Sequence, residues 1–567
     1  MLTKNAIQLL EERYLLRRGT NETPDQLFRR VAKHVAGVER LRKKEWEEKF
    51  YGIMKNLEFL PNSPTLMNAG LPNGQLSACF VLPVEDSLTS IFSTLKNAAL
   101  IHQSGGGTGY NFSDLRPKGD PVGASGGTSS GPLAFMDIYD SATEHVKQGG
   151  KRRGANMGIL NVDHPDIESF IVSKTEGRRL QNFNISVGIT DDFMHAVALD
   201  GDWTLVNPRT KRVRKTIKAK SIWDAIVREA WKTGDPGLVF LDAINSKNPT
   251  PEQGSIKSTH PCGEVPLLDY ESCNLGSLNI MKVLKRETTG VAIDWQRLET
   301  NIQVAMRFLD NVISVNHYLL PQIREMAEMN RKVGLGVMGW AELLISLNIP
   351  YASDEAVALG DRLMDFVKTK SYEASRSLAS ERGTFLSWAS SIHSPGMPLR
   401  NATCNSIAPT GSISVIANTS YSIEPLYALS YERVGILGGK TQAELNAVAV
   451  EKLKQLNLWN GQIKEEVLGT GSVQQLKRVP KSVRKLLETS QEVSWKYHLD
   501  HQRVFQKHTD NAVSKTINLP KSATEIEISK IYRTAWEYGL KGITIYRDGS
   551  KPNQILQKCG LNHGPAC

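Results

Sequence analysis

The sequence has few cysteines, no long apolar run and no signal-like N-terminus. Each of these absences excludes a class of protein. Six cysteines in 567 residues are too few for a disulfide framework, so we expect reduced thiols. No apolar run approaches the ~20 residues that span a bilayer. The opening MLTKNAIQLLEERYLLRRG is charged throughout, unlike a signal peptide. We therefore expect a cytoplasmic protein with no membrane segment.

Motifs for nucleic-acid binding are also missing, although the net charge of +10 permits an anionic ligand. There is no zinc finger, no basic zipper and no basic strand interleaved with aromatic residues. The densest basic run, RTKRVRKTIKAK (209–220), follows the Asn207-Pro208 turn signal and is typical of a solvated hairpin. We expect no stable nucleic-acid partner. A non-catalytic basic protein that binds nucleotide or nucleic acid stays open as an alternative.

The pattern of the chain changes near residue 75, which suggests a domain boundary. Before it, apolar residues recur at helical spacing, and TPDQLFRRVAKHV begins with a capping box from Thr23 to Gln26. After it, short β-prone runs alternate with glycine-rich loops and helical segments, which indicates an α/β fold. The segment 440–500 is predicted to be mostly helical. The expected domains are a helical N-terminal region at 1–74, an α/β unit at 75–550 and a flexible tail at 551–567.

The stretch THPCGEVPLLDYESCNLGS (259–277) places two cysteines beside a carboxylate. Cys262 and Glu264 are two positions apart, so in an extended segment they point to one side. A thiol and a carboxylate on one face are suited to nucleophile and base, or to radical carrier and base. The alternative is a pair of buried, inert thiols, Cys262 and Cys273. No CxxC or Cys/His cluster at zinc spacing occurs here, so no metal site is predicted.

Several loops are candidates for phosphate binding. The glycine-dense stretches SGGGTGYN, GASGGTSSGP and KQGGKRRGANMG match neither GxGxxG nor the P-loop pattern, so they are either backbone cradles for phosphate or plain loops. APTGSIS (408–414) offers hydroxyl and backbone donors in a turn that can begin a helix, which suits an anion site as well as an ordinary turn. Lys151, Arg152 and Arg153 form a cationic loop that either contacts a phosphate or is simply solvated.

Together these stretches resemble ribonucleotide reductases, in that family's order and over nearly all of the chain. The resemblance is closest to the adenosylcobalamin-dependent, class II enzymes. It implies a ten-stranded α/β barrel with a helical N-terminal region, and reduction of ribonucleoside diphosphates to 2′-deoxyribonucleoside diphosphates by a cysteine thiyl radical. The matching stretches are FLPNSPTLMNAG, QLSACFVLPVEDSL, GGGTGYNFSDLRP, GGKRRGANMGIL, PCGEVPLLDYESCNLGSLNI, APTGSIS with IEPLY, and GITIYRDGS.

The resemblance also implies roles for particular residues. Cys262 would be the thiyl radical that abstracts the 3′-hydrogen, and Glu264 the base for the 3′-hydroxyl. Cys79 and Cys273 would be the redox pair that protonates the leaving 2′-hydroxyl, supplies two electrons and becomes a disulfide. The implied substrate contacts are Ser63, Ala78, Cys79, Gly107, His260, Pro261, Cys262, Gly263, Glu264, Pro409, Thr410, Gly411, Ser412 and Ile413.

A second, regulatory site is implied as well. Family members bind a deoxynucleotide or ATP effector at a homodimer interface, and the matching positions here are Asp86, Ser87, Leu88, Arg116 and the loop of Lys151, Arg152 and Arg153. Coupling between two such sites is typically ~1–3 kcal/mol. The tail thiols Cys559 and Cys567 are candidates to pass reducing equivalents from a thioredoxin- or glutaredoxin-type protein, although their spacing is atypical.

The sequence departs from the family in four places. His260 stands where the family usually has Asn, which puts the local hydrogen bonds and their pH dependence in doubt. Tyr546 stands alone where class I catalytic subunits have two adjacent tyrosines, which favours adenosylcobalamin over the alternative, a class I subunit with a radical-generating partner. The spacing of the tail cysteines Cys559 and Cys567 is also a departure, whereas the absence of a DxHxxG cobalamin signature is compatible with class II reductases. The short N-terminus leads us to expect no ATP-binding module for overall activity control.

Overall fold

The computed structural model describes every residue except 1, 17–20, 124–125, 149–151, 178, 289, 438–439, 552–555 and 559–567. For 147–148, 152–153, 432–437, 440–444 and 556–558 it describes the backbone alone. None of the described helices is long and apolar enough to cross a membrane.

The described residues of the N-terminal region are mostly helical, but Phe59–Pro61 form strand β1 and belong to the central sheet, which the helical prediction for 1–74 missed. The capping box at the start of the second helix is present: the Thr23 side chain accepts from the Gln26 N–H, and the Gln26 side chain accepts from the Thr23 N–H at 2.8 Å. The stripe of Leu27, Val31 and Val35 is buried against the neighbouring helices. The helices are α1 (Lys4–Arg13), α2 (Pro24–Val35), α3 (Lys43–Lys55) and α4 (Ser63–Asn68).

Helices and strands alternate through the rest of the described chain. The later helices are α5 (Leu88–Gln103), α6 (Pro132–His145), α7 (Ile167–Ile171), α8 (Asp191–Ala198), α9 (Ala219–Thr233), α10 (Leu241–Asn245), α11 (Trp295–Val315), α12 (Pro321–Asn330), α13 (Trp340–Ser346), α14 (Asp354–Arg382), α15 (Gly411–Ala417), α16 (Ala447–Gln455), α17 (Gly461–Thr470), α18 (Lys481–Leu486), α19 (Trp495–Lys507) and α20 (Glu525–Glu537). The strands are β1 (Phe59–Pro61), β2 (Cys79–Val81), β3 (Gly107–Asn111), β4 (Pro121–Val122), β5 (Gly127–Thr128), β6 (Lys147–Gln148), β7 (Arg152–Arg153), β8 (Asn156–Asn161), β9 (Phe183–Ile189), β10 (Asp202–Val206), β11 (Val213–Lys218), β12 (Gly237–Phe240), β13 (Ser258–Thr259), β14 (Pro266–Leu267), β15 (Ser272–Asn279), β16 (Leu284–Glu287), β17 (Gly290–Ile293), β18 (Val333–Met338), β19 (Ser430–Leu437), β20 (Lys440–Leu445), β21 (Thr516–Leu519), β22 (Gly542–Arg547) and β23 (Leu556–Lys558).

Ten strands form the central sheet, which confirms the predicted α/β barrel. They run in the order β1, β15, β2, β3, β8, β9, β12, β22, β21, with β18 also beside β15. Two isolated parallel bridges, Leu335 with Asn405 and Ile407 with Val513, connect β18 through a short segment to the residues just before β21. These bridges link the two ends of the sheet.

The barrel consists of two parallel halves. In one half β2, β3, β8, β9 and β12 are parallel; in the other, β15 pairs parallel with β18, and β21 with β22. The halves meet through antiparallel pairs, β2 with β15 and β12 with β22. Parallel neighbours need long crossover connections, and helices such as α5 and α6 supply them here.

Two surface segments test the prediction of local structure. The basic run does form a hairpin: β10 and β11 pair antiparallel, and most of β11 is exposed. The prediction for 440–500 was wrong at its start, because residues 440–445 form β20 and pair with β19. In that stretch, pairing with a neighbouring strand outweighs the helical pattern of the sequence. Helix begins only at Ala447.

A buried charge cluster joins the N-terminal region to the barrel. Glu39 accepts hydrogen bonds from Arg307 Nε at 2.7 Å and from Arg382 Nη2 at 2.8 Å, and Asn311 Nδ2 donates to it at 2.8 Å. Burial by itself raises the pKa of the Glu39 carboxyl, but these hydrogen bonds outweigh it and lower the pKa from 4.5 to about 2. The carboxylate therefore stabilises the folded state wherever it is ionised.

We predict that Glu39→Gln lowers the free energy of unfolding by about 3 kcal/mol at neutral pH, because it leaves buried guanidinium groups without their counter-charge. Since the folded-state pKa is depressed, the contribution of Glu39 is present above pH 4.5 and is lost as the pH falls toward about 2. Urea denaturation across this pH range should show the two proteins converging at low pH.

The matched control is Glu48→Gln, which removes an exposed ion pair with Arg29. We expect it to destabilise the protein much less than Glu39→Gln, because water and salt screen an exposed ion pair. Equal losses in the two variants would contradict the buried-cluster interpretation.

Candidate functional site

The predicted radical segment is the tip of a short hairpin. Strands β13 and β14 pair antiparallel, with Ser258 opposite Leu267 and Thr259 opposite Pro266. The residues between them, 260–265, include Cys262 and Glu264. The tip is held by a bond from Asn184 Nδ2 on β9 to the Pro261 carbonyl at 2.7 Å. The hairpin therefore places the two reactive groups against the barrel strands.

Glycines on β3 make room for this tip. A Cβ atom on Gly109 would lie 1.9 Å from the Thr259 carbonyl oxygen, which is far inside any allowed contact. A Cβ on Gly107 would meet Pro261 Cγ at 3.2 Å. Positions 107 and 109 face the same side of the strand. The glycines of GGGTG, whose role the sequence left open, here serve the close approach of the hairpin backbone.

Cys262 is exposed, and it lines a cavity of about 900 Å³. Volumes of this size are typical of sites for cofactors and other organic ligands. Predicted substrate contacts that meet on its wall are Pro261, Cys262, Gly263, Pro409, Gly411 and Ser412.

The two other predicted redox cysteines face each other across neighbouring strands. Cys79 on β2 is the antiparallel partner of Cys273 on β15, and on its other side it is the parallel partner of Gly107. Cβ atoms of directly opposed residues lie about 5 Å apart on one face of a sheet, within reach of disulfide formation after a small shift. Both thiols are buried and reduced.

The surroundings keep Cys273 protonated. Burial raises the pKa of its thiol far above the ordinary value; the Lys332 charge opposes this effect, and Glu264 and Glu271 add to it. Lys332 and Glu271 are themselves a buried ion pair, with Nζ 2.6 Å from Oε2. A thiol with a raised pKa stays protonated at neutral pH and is therefore a poor nucleophile.

Cys79, His260 and Glu264 form a compact cluster. The thiol sulfur, a ring nitrogen and a carboxylate oxygen all lie within 4.8 Å of one another. His260 Nε2 is 2.9 Å from Glu264 Oε1, but without the alignment of a hydrogen bond. The position of Glu264 is set by its backbone, because its carbonyl accepts from Ser406 Oγ and from the Ala512 N–H, each at 2.9 Å.

The predicted anion turn does begin a helix. Thr410 has φ of +58° and precedes α15. Its hydroxyl is 2.7 Å from Ser414 Oγ and accepts from the Ser422 N–H at 2.8 Å, so it holds the turn together. Gly411 and Ser412 reach the cavity, whereas Ile413 is buried. The candidate anion donors are therefore the backbone and Ser412, more than Thr410.

Three other predicted substrate contacts, Ser63, Ala78 and Gly107, are not among the residues that line the cavity. Ser63 begins α4, and its hydroxyl is 2.8 Å from the Tyr14 hydroxyl. Ala78 packs with the buried cluster around Cys79. The Gly107 N–H donates to the Ala78 carbonyl at 3.0 Å.

Sequence reasoning missed the cationic side chains of the cavity. Arg13 from α1, Lys515 before β21 and Lys541 before β22 all line it. Lys515 Nζ lies 2.9 Å from His498 Nδ1 and is paired with Glu424. Burial lowers the pKa of Lys541 to about 7, while its Nζ donates to the Asp510 and Asn511 carbonyls. Only the fold brings these distant cations together.

The predicted effector residues form a separate group. Arg116 Nε donates to the Asp86 carboxylate at 2.8 Å, and Ser87 caps the start of α5. Leu88 is 64% exposed. For Arg152 and Arg153 only the backbone of β7 is described. Lys151 and the tail cysteines Cys559 and Cys567 lie outside the described residues.

Comparisons with known proteins agree with this geometry. Residues 77–546 match the ribonucleotide reductase barrel domain, and residues 1–74 match the ribonucleotide reductase all-alpha domain. The chain is 47% identical to the vitamin B12-dependent ribonucleoside-diphosphate reductase of Thermoplasma acidophilum, over 98% of this chain and 80% of that protein. A protein of the same description from Mycobacterium tuberculosis is 46% identical, over 98% and 80%. Among solved structures, the Actinobacillus ureae class Id ribonucleotide reductase alpha subunit superposes with a TM-score of 0.80, at 26% identity over 97% of both chains.

We predict that Gly109→Ala displaces the hairpin tip, because the added methyl meets the backbone at position 259. The expected result is a loss of more than about 3 kcal/mol in the free energy of unfolding, together with a changed rate of alkylation at Cys262. Peptide mapping by mass spectrometry separates that thiol from the other cysteines.

Gly127→Ala is the matched control, since Gly127 is also in a strand but has nothing within 4 Å of the added atom. It should change stability by less than about 0.5 kcal/mol. An unchanged Cys262 alkylation rate in Gly109→Ala would show that the close approach does not position the tip.

Proposed function

The chain belongs to the ribonucleotide reductase family, and on that premise we propose that it is a vitamin B12-dependent ribonucleoside-diphosphate reductase. It would reduce ribonucleoside diphosphates to 2′-deoxyribonucleoside diphosphates for DNA synthesis. The observation that carries the proposal is the pairing of Cys79 with Cys273 beside Glu264, behind a cavity that Cys262 enters.

The chemistry divides among four residues. Cys262, as a thiyl radical, abstracts the hydrogen atom from C3′ of the ribose, and Glu264 takes the proton of the 3′-hydroxyl. A thiol of the Cys79–Cys273 pair protonates the 2′-hydroxyl, which leaves as water. The two thiols supply two electrons and two protons in total, one proton to the leaving water and one to C2′, and become a disulfide. Glu264 then returns its proton to the 3′-oxygen and Cys262 returns the hydrogen atom to C3′. The raised pKa of Cys273 means that the resting pair holds a thiol and not a thiolate, so its hydrogen is present when substrate binds.

The reaction needs a dry interior around the radical, and the structure supports this requirement. Cys79, Cys273 and Glu264 are each about 2% exposed or less, although Cys262 is open to the cavity. Excluding water strengthens the electrostatic interactions within such a site and limits side reactions.

The diphosphate is proposed to bind at the turn from Pro409 to Ile413. The first-turn N–H groups of α15 point outward from a helix start, which favours an anion. Arg13 lies on the same cavity wall and adds positive charge, and Lys541, whose pKa burial lowers to about 7, adds charge when it is protonated. The remaining proposed contacts are Ser63, Ala78 and Gly107 near Cys79.

The cavity fits a role for adenosylcobalamin as cofactor. When bound, this group supplies a carbon–cobalt bond whose homolysis provides the radical. Cys262 is the exposed thiol on the wall, and apolar positions such as Leu238 and Val513 line the same space and would hold the group's adenosyl end. The identities of 46–47% to proteins named vitamin B12-dependent support this choice over a class I subunit, the match to a class Id subunit being 26%. The single Tyr546 agrees with it.

Regulation and partners complete the proposal. A deoxynucleotide or ATP effector would bind around Asp86, Ser87, Leu88 and Arg116. The loop of Lys151, Arg152 and Arg153 would carry the signal of which effector is bound to the substrate base.

Helix α5 supports a homodimer: Leu88, Phe92 and Leu100 are exposed and lie within about a third of its circumference. A cytoplasmic thioredoxin- or glutaredoxin-type protein would reload the active-site disulfide, through Cys559 and Cys567. The proposed domain limits are 1–74, 75–550 and 551–567.

The first test is anaerobic deoxynucleotide formation by the purified chain, with adenosylcobalamin, a dithiol, a ribonucleoside diphosphate and an effector. We predict that Cys262→Ser lowers turnover by roughly 10³-fold or more and abolishes cofactor-linked hydrogen exchange. Cys79→Ser and Cys273→Ser should block multiple turnover but leave cofactor activation intact.

Cys404→Ser is the control, because Cys404 is also buried but lies outside the cluster. Full steady-state activity in Cys79→Ser would refute the redox role of that thiol. Absence of product in the unsubstituted chain, with nucleotide bound, would point to a missing radical partner as in class I, to a triphosphate substrate, or to an active site impaired at His260. Strongly salt-dependent binding to DNA that survives Cys262→Ser would favour a non-catalytic protein.

For the dimer, we predict that Phe92→Asp with Leu100→Asp weakens self-association at least about tenfold in sedimentation equilibrium, because charge replaces apolar contact. Leu199→Asp is the control, since Leu199 is 82% exposed and lies in the connection between α8 and β10, not on α5. Equal effects, or none in either protein, would contradict an interface on α5.

A further inference from the structure

We propose that Cys79, His260 and Glu264 form a binding site for Zn²⁺. The sequence predicts no metal site, because these residues are far apart or at the wrong spacing for a zinc motif. The fold alone assembles them. The proposal concerns metal binding by the chain itself, so it holds whether or not the reductase activity does.

The geometry is that of a zinc site before the ion enters. One donor atom from each residue lies within 4.8 Å of the other two. Ligand atoms around a tetrahedral Zn²⁺ at 2.0–2.3 Å stand roughly 3.5 Å apart. The pair His260 Nε2 and Glu264 Oε1, at 2.9 Å, needs to open slightly, and the sulfur needs to close in.

Polar atoms without hydrogen-bond partners point to the same ligand. His260 is 3% exposed and Glu264 is 2% exposed. Neither ring nitrogen of His260 has a hydrogen-bond partner, and nor does Glu264 Oε2. Leaving such atoms unsatisfied in the interior is costly, whereas coordination would satisfy one nitrogen and the carboxylate together.

The donor set selects the metal. One sulfur, one imidazole nitrogen and one carboxylate oxygen suit Zn²⁺, whereas Mg²⁺ and Ca²⁺ require oxygen ligands. On binding, the S–H bond of Cys79 breaks, a Zn–S bond forms and the proton passes to solvent. Thiolate and carboxylate then neutralise the double charge of the ion, so the buried site carries no net charge.

Occupancy by Zn²⁺ has a consequence for any chemistry at this centre. The ion would hold both the Glu264 carboxylate and the Cys79 sulfur, the two groups proposed above to move a proton and to deliver electrons. Zn²⁺ and turnover are therefore mutually exclusive, and the metal acts as a reversible inhibitor.

His260 makes this site particular to chains that carry it. An Asn at this position would offer only an amide, which is a poor ligand for Zn²⁺ compared with a neutral imidazole. The residue that departs from the family pattern is thus the one that completes the donor set.

The test is calorimetric titration of the reduced, cofactor-free full chain with ZnCl₂ under anaerobic conditions. Cys559→Ser and Cys567→Ser are included throughout, so that tail thiols do not contribute. We expect one equivalent to bind, with release of about one proton between buffers of different ionisation enthalpy. Titration with Co²⁺ should produce a thiolate-to-metal charge-transfer band in the near ultraviolet.

Variants locate the site. Cys79→Ser and His260→Asn should each weaken Zn²⁺ binding by at least about 100-fold, and Cys79→Ser should remove the Co²⁺ band. Cys404→Ser should change neither. The absence of stoichiometric binding, or binding and a charge-transfer band that survive Cys79→Ser, would overturn the proposal. The Co²⁺ spectrum of the chain with Cys79 and His260 intact keeps the test valid if a variant folds poorly.

Discussion

The close contact between the backbone at 259–261 and strand β3 is the constraint on which the site depends. It requires glycine at 109, and it brings the hairpin tip into the barrel. The far side of the tip is held by bonds from Ser406 and the Ala512 N–H to the Glu264 carbonyl. Those residues belong to the segments that link β18 to β21. Closure of the barrel and placement of the reactive groups therefore rely on the same few contacts.

The interior created in this way contains few charged side chains, and those described below are paired. Lys332 and Glu271 are paired at 2.6 Å behind the cysteines, and Lys515 is paired with Glu424 at the cavity wall. Such pairs tolerate burial because each charge has its partner. Cys273, which has no cation of its own, keeps its proton. The cavity wall thus carries charged groups that suit a phosphate, whereas the two buried thiols lie beside Glu264 and the Lys332–Glu271 pair.

Much of this arrangement was predictable from the sequence, where local chemistry decides it. The capping box at Thr23 and the basic hairpin after Asn207 depend on neighbouring residues, and both are present. The barrel followed from a resemblance spread along the chain. Residues 440–445 did not follow, because pairing with β19 decides their structure. The cavity cations Arg13 and Lys541 come from opposite ends of the chain, and only tertiary structure brings them together.

The proposed redox pair lies where the two parallel halves of the barrel meet, so its oxidation would change the stability of the fold. Cys79 belongs to one half and Cys273 to the other, and the two face each other at the antiparallel junction. A bond between them would stitch the halves together covalently and close a very long loop. Cross-links over long loops restrict the unfolded chain most, by roughly 5 kcal/mol in the chain-entropy estimate. The oxidised protein would thus be more stable against unfolding, and each reduction would remove this cross-link.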